Sequence, residues 1–443
     1  MKKKTAKESV FIKLGYVFVA LMLTVFLFRF DKTGFEGITE AKLSAFRWLC
    51  GGYVLANLVL VPACLVTGLI KARDIKRFFT ELTAAQKLCL VFLLITLVSL
   101  LASPYRSEAW QGVSRYEGAL TIGIYVLCFF FLSSFGRVKK WMAYLLGASV
   151  LAFSAICILQ LYGLDPFGLY PEGLNYFGAD VDYNGAYLGT IGNTDLVAAF
   201  LCIVIPILWV SVLRLSGKYK YLLLLPLAAA LFVLFKMYVL AGFVGVLGGA
   251  VLSLPMALKL SDRRAKLIAV ALVCLLLLAL ACVFFFDFEM GIFHEAHELL
   301  HGRVQEGFGS GRIYIWKNVL ERVPERLWLG HGPDTMRYSG IEAFTRYDPV
   351  KNVQIVAEID AAHNEYLNIL YHQGLIALLV YLAMLGVLAA GWIKNGRKDA
   401  ACAALGTAAL CYCVQAFFGI SMLITAPFFW MTLGLLDASL HRE

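Results

Sequence analysis

Residues 361–382 read AAHNEYLNILYHQGLIALLVYL, and the change of character inside this stretch decides the fold. It opens on His363, Asn364 and Glu365 and passes directly into an apolar run that continues to about residue 393. A helix needs about 20 predominantly apolar residues to cross the hydrocarbon core of a bilayer, and this run supplies them. Upstream lies a polar segment that begins SGRIYIW at Ser310 and contains GHGPD at residues 330–334. Beyond it, toward the N-terminus, the chain is apolar again.

Working outward, the same alternation covers all 443 residues. The chain is 60% hydrophobic with a mean hydropathy of +0.76, whereas soluble domains sit near roughly half apolar. Hydropathy and length predict about 12 spanning helices, centred near residues 20, 58, 94, 126, 152, 204, 228, 248, 276, 382, 409 and 430. The expected fold is an all-α, polytopic membrane bundle. Residues 1–286 form an N-terminal bundle of about nine helices, 287–365 a helical extracytoplasmic subdomain, and 366–443 about three further helices. The first apolar run lacks a small-residue cleavage site and reads as an uncleaved membrane helix.

The formal charge of +9 is not a nucleic-acid signal, because of where it lies. Basic residues cluster at 2–4, 71–77, 137–140, 218–220, 263–266 and 394–398, between apolar runs, and the alternate loops lack such clusters. That is the positive-inside pattern, which places both termini in the cytoplasm. Residues 287–365 carry 13 acidic and 8 basic residues and are expected outside. The 11 cysteines all fall in apolar runs, so no disulfide framework is expected.

Arg312 stands at a helix start after Gly309-Ser310-Gly311, where a bidentate guanidinium and the first backbone N–H groups together suit an anion. A solvated Arg there would oppose the helix dipole. Trp316, one turn further on, is a candidate to position the acceptor or glycan. His363 precedes a spanning helix, and a neutral imidazole in that place takes a proton from a hydroxyl near neutral pH. Asn364 and Glu365 beside it are suited to orient an acceptor, and a capping segment is the plainer alternative. Arg106 and Arg115 lie in SPYRSEAWQGVSRYEG, outside against the charge bias. Lys236 is a lone interfacial lysine, either functional or snorkelling to headgroups. The aromatic loop at residues 163–193 suits a carbohydrate-facing surface.

Six of the seven histidines lie in or beside the long loop. His297-Glu298-Leu299-Leu300-His301 fits H-E-x-x-H, which on a helix can hold zinc with the Glu as base. Gly302 follows at once and the longer metzincin pattern is absent. An amphipathic surface helix is the competing reading.

Four segments resemble the O-antigen ligase/polymerase family of bacterial multi-pass membrane glycosyltransferases: WQGVSRYEGALTIGIY, YLGTIGNTDLVAAFLCIVIPI, SGRIYIWKNVLERVPERLWLGHGPD and AAHNEYLNILYHQGLIALLVYL. They run in the family's order from about residue 110 to 382. The resemblance implies a GT-C-like fold and transfer of a glycan from undecaprenyl pyrophosphate to an acceptor glycan or glycolipid hydroxyl. The transfer takes place at the outer face of the cytoplasmic membrane, and no cofactor or metal is expected. It carries the general base or acceptor-positioning residue to His363 and pyrophosphate ligands to Arg312 and Arg115; Arg106 and Lys236, from the reading of the residues above, are further candidate pyrophosphate-binding cations. The family's Ser-Arg-Gly at one outer turn reads Leu240-Ala241-Gly242 here, and Lys236 is positioned to supply the missing charge. Competing readings are a polysaccharide polymerase of the same family, a multi-pass transporter or flippase, and a membrane zinc metalloprotease through His297-Glu298-x-x-His301.

Overall fold

The computed structural model describes residues 2–32, 34–35, 37–68, 71, 80–169, 189–237, 239–287, 292–309, 311–348 and 353–441. Among them, eight helices have the length and apolarity to cross a membrane, and four shorter apolar helices accompany them. In chain order these are α1 (Val10–Phe26), α2 (Ile38–Val66), α3 (Ala84–Ala102), α5 (Ala119–Phe135), α6 (Lys140–Leu161), α7 (Thr194–Arg214), α8 (Lys218–Met237), α9 (Leu240–Ala257), α10 (Asp262–Phe285), α13 (Glu365–Asn395), α14 (Ala400–Gln415) and α15 (Ala426–Leu440). Each contains one of the twelve predicted centres. The polar segments add α4 (Arg106–Gln111), α11 (Ile292–Leu300) and α12 (Arg312–Arg322).

Local chemistry sets several of the helix starts. Thr83 and Gln86 make a reciprocal capping box on α3, and the side chains of Asn193, Asn364 and Asp399 accept first-turn amides of α7, α13 and α14. These acceptors satisfy N–H groups that have no partner inside the helix. At the end of α1 the buried Lys42 ammonium does the converse, donating to the carbonyls of Phe26 and Leu27, each at 2.7 Å.

The core sits where α7, α14, α5 and α15 meet. α7 packs on α14, α5 on α15, α3 on α13, and α6 on α8. Of the α7 window that spans the bilayer, 78% is buried, whereas none of α10 is. A helix that is apolar all round and still unburied faces lipid, so α10 is peripheral. The cysteines are free thiols.

Four basic turns gather at one end of the bundle. Arg214 donates to the carbonyls of Met256, Gly396 and Arg397 at 2.6–3.0 Å. Arg397 pairs with Asp262, and Lys140 reaches Ser216 at 2.6 Å. The C-terminal helix returns to this end, where Asp437 accepts from Thr83 and Ser133. The basic cluster at 72–77 lies outside the described residues, as do residues 170–188 of the aromatic loop.

The long polar segment packs on the other end. It holds one element the helical periodicity did not anticipate: an antiparallel hairpin of β1 (Phe344–Asp348) and β2 (Val353–Ala357). The β-branched and aromatic residues of FTRYD and VQIVA explain it.

Candidate active site at the polar end of the bundle

The site is organised around a break in α13. Gly374 (φ 86, ψ 175) interrupts the helix and frees the carbonyls of the turn before it. The GHGPD segment docks onto them. His331 N–H donates to Tyr371 O at 3.0 Å, Gly332 N–H to His372 O at 2.8 Å, and Leu375 N–H to Leu327 O at 2.8 Å. The approach is so close that a Cβ on Gly330 or Gly374 would overlap the facing backbone, which is why glycine stands at both. From α3, Ser99 and Ser103 donate to His372 O and His331 O at 2.9 and 2.6 Å.

This docking delivers Asp334. It is buried and accepts the backbone N–H groups of Ser114 (3.2 Å) and Arg115 (3.0 Å). The WQGVSRYEG loop thus folds round a carboxylate. Arg115 then reaches Asp360 at 2.6 Å, just before the His363 segment. Arg115, Glu117, Asp334, Asp360, Glu365 and His372 line a cavity of about 70 Å³. Burial, opposed by the hydrogen bond from Tyr125 at 2.6 Å, pushes Glu117 up to about 8. Burial also raises Asp334, against the pull of its amide donors and of Arg115. Glu365 is buried and accepts the hydroxyls of Tyr381 (2.6 Å) and Tyr412 (3.0 Å).

His363 has φ 48, a left-handed conformation that a residue with a side chain rarely adopts. Such strain persists only where the surroundings impose it. Here Ala362 N–H donates to Asn368 Oδ1 at 2.8 Å, Trp316 Nε1 donates to Ala362 O at 2.8 Å, and Asn364 caps α13 through Leu367 N–H at 3.0 Å. Trp316 therefore joins the helix of Arg312 to the segment of His363.

The Arg312 guanidinium donates to Gly309 O at 2.9 Å and to Phe418 O at 3.1 and 3.2 Å, and lies 3.7 Å from Asp195. It faces a cavity of about 570 Å³ that includes Asp195, Glu295, Trp316 and Phe418. Leu240 and Val244 of α9, both exposed, give it apolar lining. One expectation needs correction. The first N–H groups of α12 do not point to an anion: those of Arg312, Ile313 and Tyr314 donate to Gly309, Phe308 and Glu306 carbonyls at 3.3–3.4 Å. The loop before the helix curls back and satisfies them.

Arg106 and Lys236 are not among the residues that line that cavity. Arg106 is exposed and donates to Ser103 O at 3.3 Å. Lys236 is exposed at the end of α8, its ammonium 5.9 Å from the Phe232 ring. In the H-E-x-x-H helix, Glu298 is held by Arg303 through bonds of 2.5–2.9 Å. His297 and His301 turn Nδ1 to the carbonyls of Val283 and His297. Among the described residues no group of three His, Cys, Asp or Glu is placed to hold a metal ion.

Sequence reasoning did not single out Glu117, Asp195, Asp334 or Asp360. All four sit beside residues it did quote: Glu117 two after Arg115, Asp195 two after Asn193, Asp334 ending GHGPD, and Asp360 just before Ala361-Ala362-His363.

Bundle and site together define a multi-pass α-helical membrane protein with a polar, cation- and carboxylate-bearing cap at one end. Residues 225–382 match the family model described as O-antigen ligase. The match covers well under half of the chain; over that stretch it supports the O-antigen ligase/polymerase family, and with it a membrane glycosyltransferase type of activity. The matched stretch contains Lys236, Arg312, Trp316, His363, Asn364 and Glu365; Arg106, Arg115 and Asp195 precede it. No curated protein is similar enough in sequence to count as a match.

Proposed function

We propose that the protein transfers a glycan from undecaprenyl pyrophosphate to an acceptor hydroxyl, at the outer face of the cytoplasmic membrane, as an O-antigen ligase-like enzyme, with a polymerase of the same family as the alternative. The observation that carries this is the Trp316–Ala362 hydrogen bond of 2.8 Å. It ties the helix that begins at Arg312 to the segment that carries His363, beside a cavity lined by the Arg312 guanidinium and by the apolar Val239, Leu240 and Val244. A polyprenyl diphosphate has that division: an anionic head and a hydrocarbon chain.

In this reading the acceptor oxygen attacks the anomeric carbon while the bond from that carbon to the diphosphate oxygen breaks. His363 takes the acceptor's proton. Arg312 stabilises the charge left on the diphosphate, which needs no proton to leave. A preorganised charge of this kind is worth about 10²–10³ in rate. Arg115 holds Asp360, and so the loop that carries His363, while Asn364 and Glu365 fix the start of α13 beneath it. The positive-inside distribution favours an outer location for the polar end, with both termini in the cytoplasm.

The test is transfer by purified protein supplied with a lipid-pyrophosphate glycan and a chelator. A single addition to a glycolipid acceptor supports the ligase reading. Products that lengthen by repeated units assign it to polymerisation, and no transfer to any hydroxyl acceptor rejects the reaction.

A further inference from the structure

At the basic end of the bundle the helices leave a second void. A cavity of about 240 Å³ lies between α1, α6, α7, α14 and α15. Leu23, Leu146, Ile203, Ile207, Leu405 and Phe428 give it apolar walls. The space exists because Ala143, Ala401 and Ala404 put only methyl groups where larger side chains would meet. Two hydroxyl residues, Ser211 and Thr432, interrupt the apolar wall, and the hydroxyl of Thr432 is spent on Phe428 O at 2.8 Å. Protein interiors normally close such gaps, and a cavity with dry walls takes an apolar guest rather than water.

The mouth has the opposite character. Lys139 and Lys140 line it and are exposed, and Lys140 bonds Ser216 at 2.6 Å, which brings the turn before Lys218 and Lys220 alongside. The acidic residue of the lining, Asp399, accepts Cys402 N–H at 2.7 Å as the cap of α14. Its charge is thereby directed to the helix dipole, and the rim stays cationic. An apolar shaft opening at a cationic mouth, at the ends of spanning helices where headgroups lie, complements one molecule of the bilayer.

We propose that this cavity binds an anionic phospholipid, with one acyl chain between the helices and its phosphate at Lys139 and Lys140. The site is independent of the glycan-transfer reading, since it lies at the opposite end of the bundle from Arg312 and His363.

The experiment uses the full chain, purified in mild detergent, exchanged repeatedly into lipid-free detergent and weighed by native mass spectrometry. The wild type retains one phosphatidylglycerol per chain. In mixed nanodiscs it enriches phosphatidylglycerol over phosphatidylcholine at least threefold. Ala404→Phe, which fills the shaft, loses the retained lipid. Lys139→Gln/Lys140→Gln keeps a lipid but drops the headgroup enrichment to unity. Retention by a monodisperse Ala404→Phe variant equal to wild type overturns the site, and so does wild-type protein that shows no headgroup preference. Should Ala404→Phe fail to fold, Ala401→Leu at the mouth side makes the same test, and the lysine pair decides the headgroup half on its own.

Discussion

Trp316 Nε1 lies 2.8 Å from the carbonyl oxygen of Ala362, so the helix that begins at Arg312 is tied directly to the residue before the strained His363. A neutral hydrogen bond of this kind contributes about 1 kcal/mol to stability. Its larger effect in our account is geometric. Trp316→Phe keeps the ring between Phe417 and Phe418 and removes only the donor. We expect kcat to fall about tenfold, in line with small misplacements of reacting groups, with the donor KM nearly unchanged. An equal change in both constants would contradict the positioning role.

Gly374 joins a conformation reserved for glycine to a backbone approach that leaves no space for a methyl group. Gly374→Ala is expected to cost on the order of 1–3 kcal/mol from backbone strain alone, and to dislodge GHGPD from the break in α13. Gly386 on the same helix has nothing within 4 Å of its added Cβ, so Gly386→Ala gains roughly 1 kcal/mol or less. Thermal unfolding of the two variants in detergent checks the contrast.

Glu117 predicts a pH dependence. Its carboxyl is raised from 4.5 to about 8 in the folded protein, so folding takes up a proton in that window. Stability linked to this group is full at low pH and declines as pH rises from 4.5 toward about 8. Glu117→Gln removes the decline. The variant should unfold at a higher temperature than wild type at pH 9 and at a similar one at pH 4. Parallel pH profiles for the two proteins would refute the assignment.

Asp195 sits 3.7 Å from the Arg312 guanidinium, in the place an anionic substrate would claim. Asp195→Asn removes this competitor without changing size. The donor KM is expected to drop several-fold, and inhibition by inorganic pyrophosphate to strengthen by a similar factor. An unchanged inhibition constant would separate Asp195 from the anion site.

The twelve apolar helices were readable because each is a hydropathy event confined to its own residues. The start of the short helix that holds Arg312 and Trp316 was readable in the same way, from the glycines before it and the residues Arg312–Arg322 themselves. What escaped the sequence were partnerships over long distances. Arg115 and Asp360 are 245 residues apart, and Asp334 meets Arg115 across 219; no local pattern encodes either pair. The H-E-x-x-H match is the converse case, a local pattern whose glutamate is claimed by Arg303 five residues on. The break at Gly374 hides inside a run that stays apolar, and only the paired glycines of GHGPD and HQGL hint that two backbones meet there.

A single-turnover measurement of glycan transfer with donor-saturated protein, comparing wild type, His363→Ala and Arg312→Ala, separates the roles of the imidazole and the guanidinium. His363→Ala is expected to bind donor normally and to slow the chemical step by about 10²-fold or more. Arg312→Ala is expected to slow the same step and to weaken donor binding as well. Transfer by His363→Ala at the wild-type rate would contradict the role of His363 as the base.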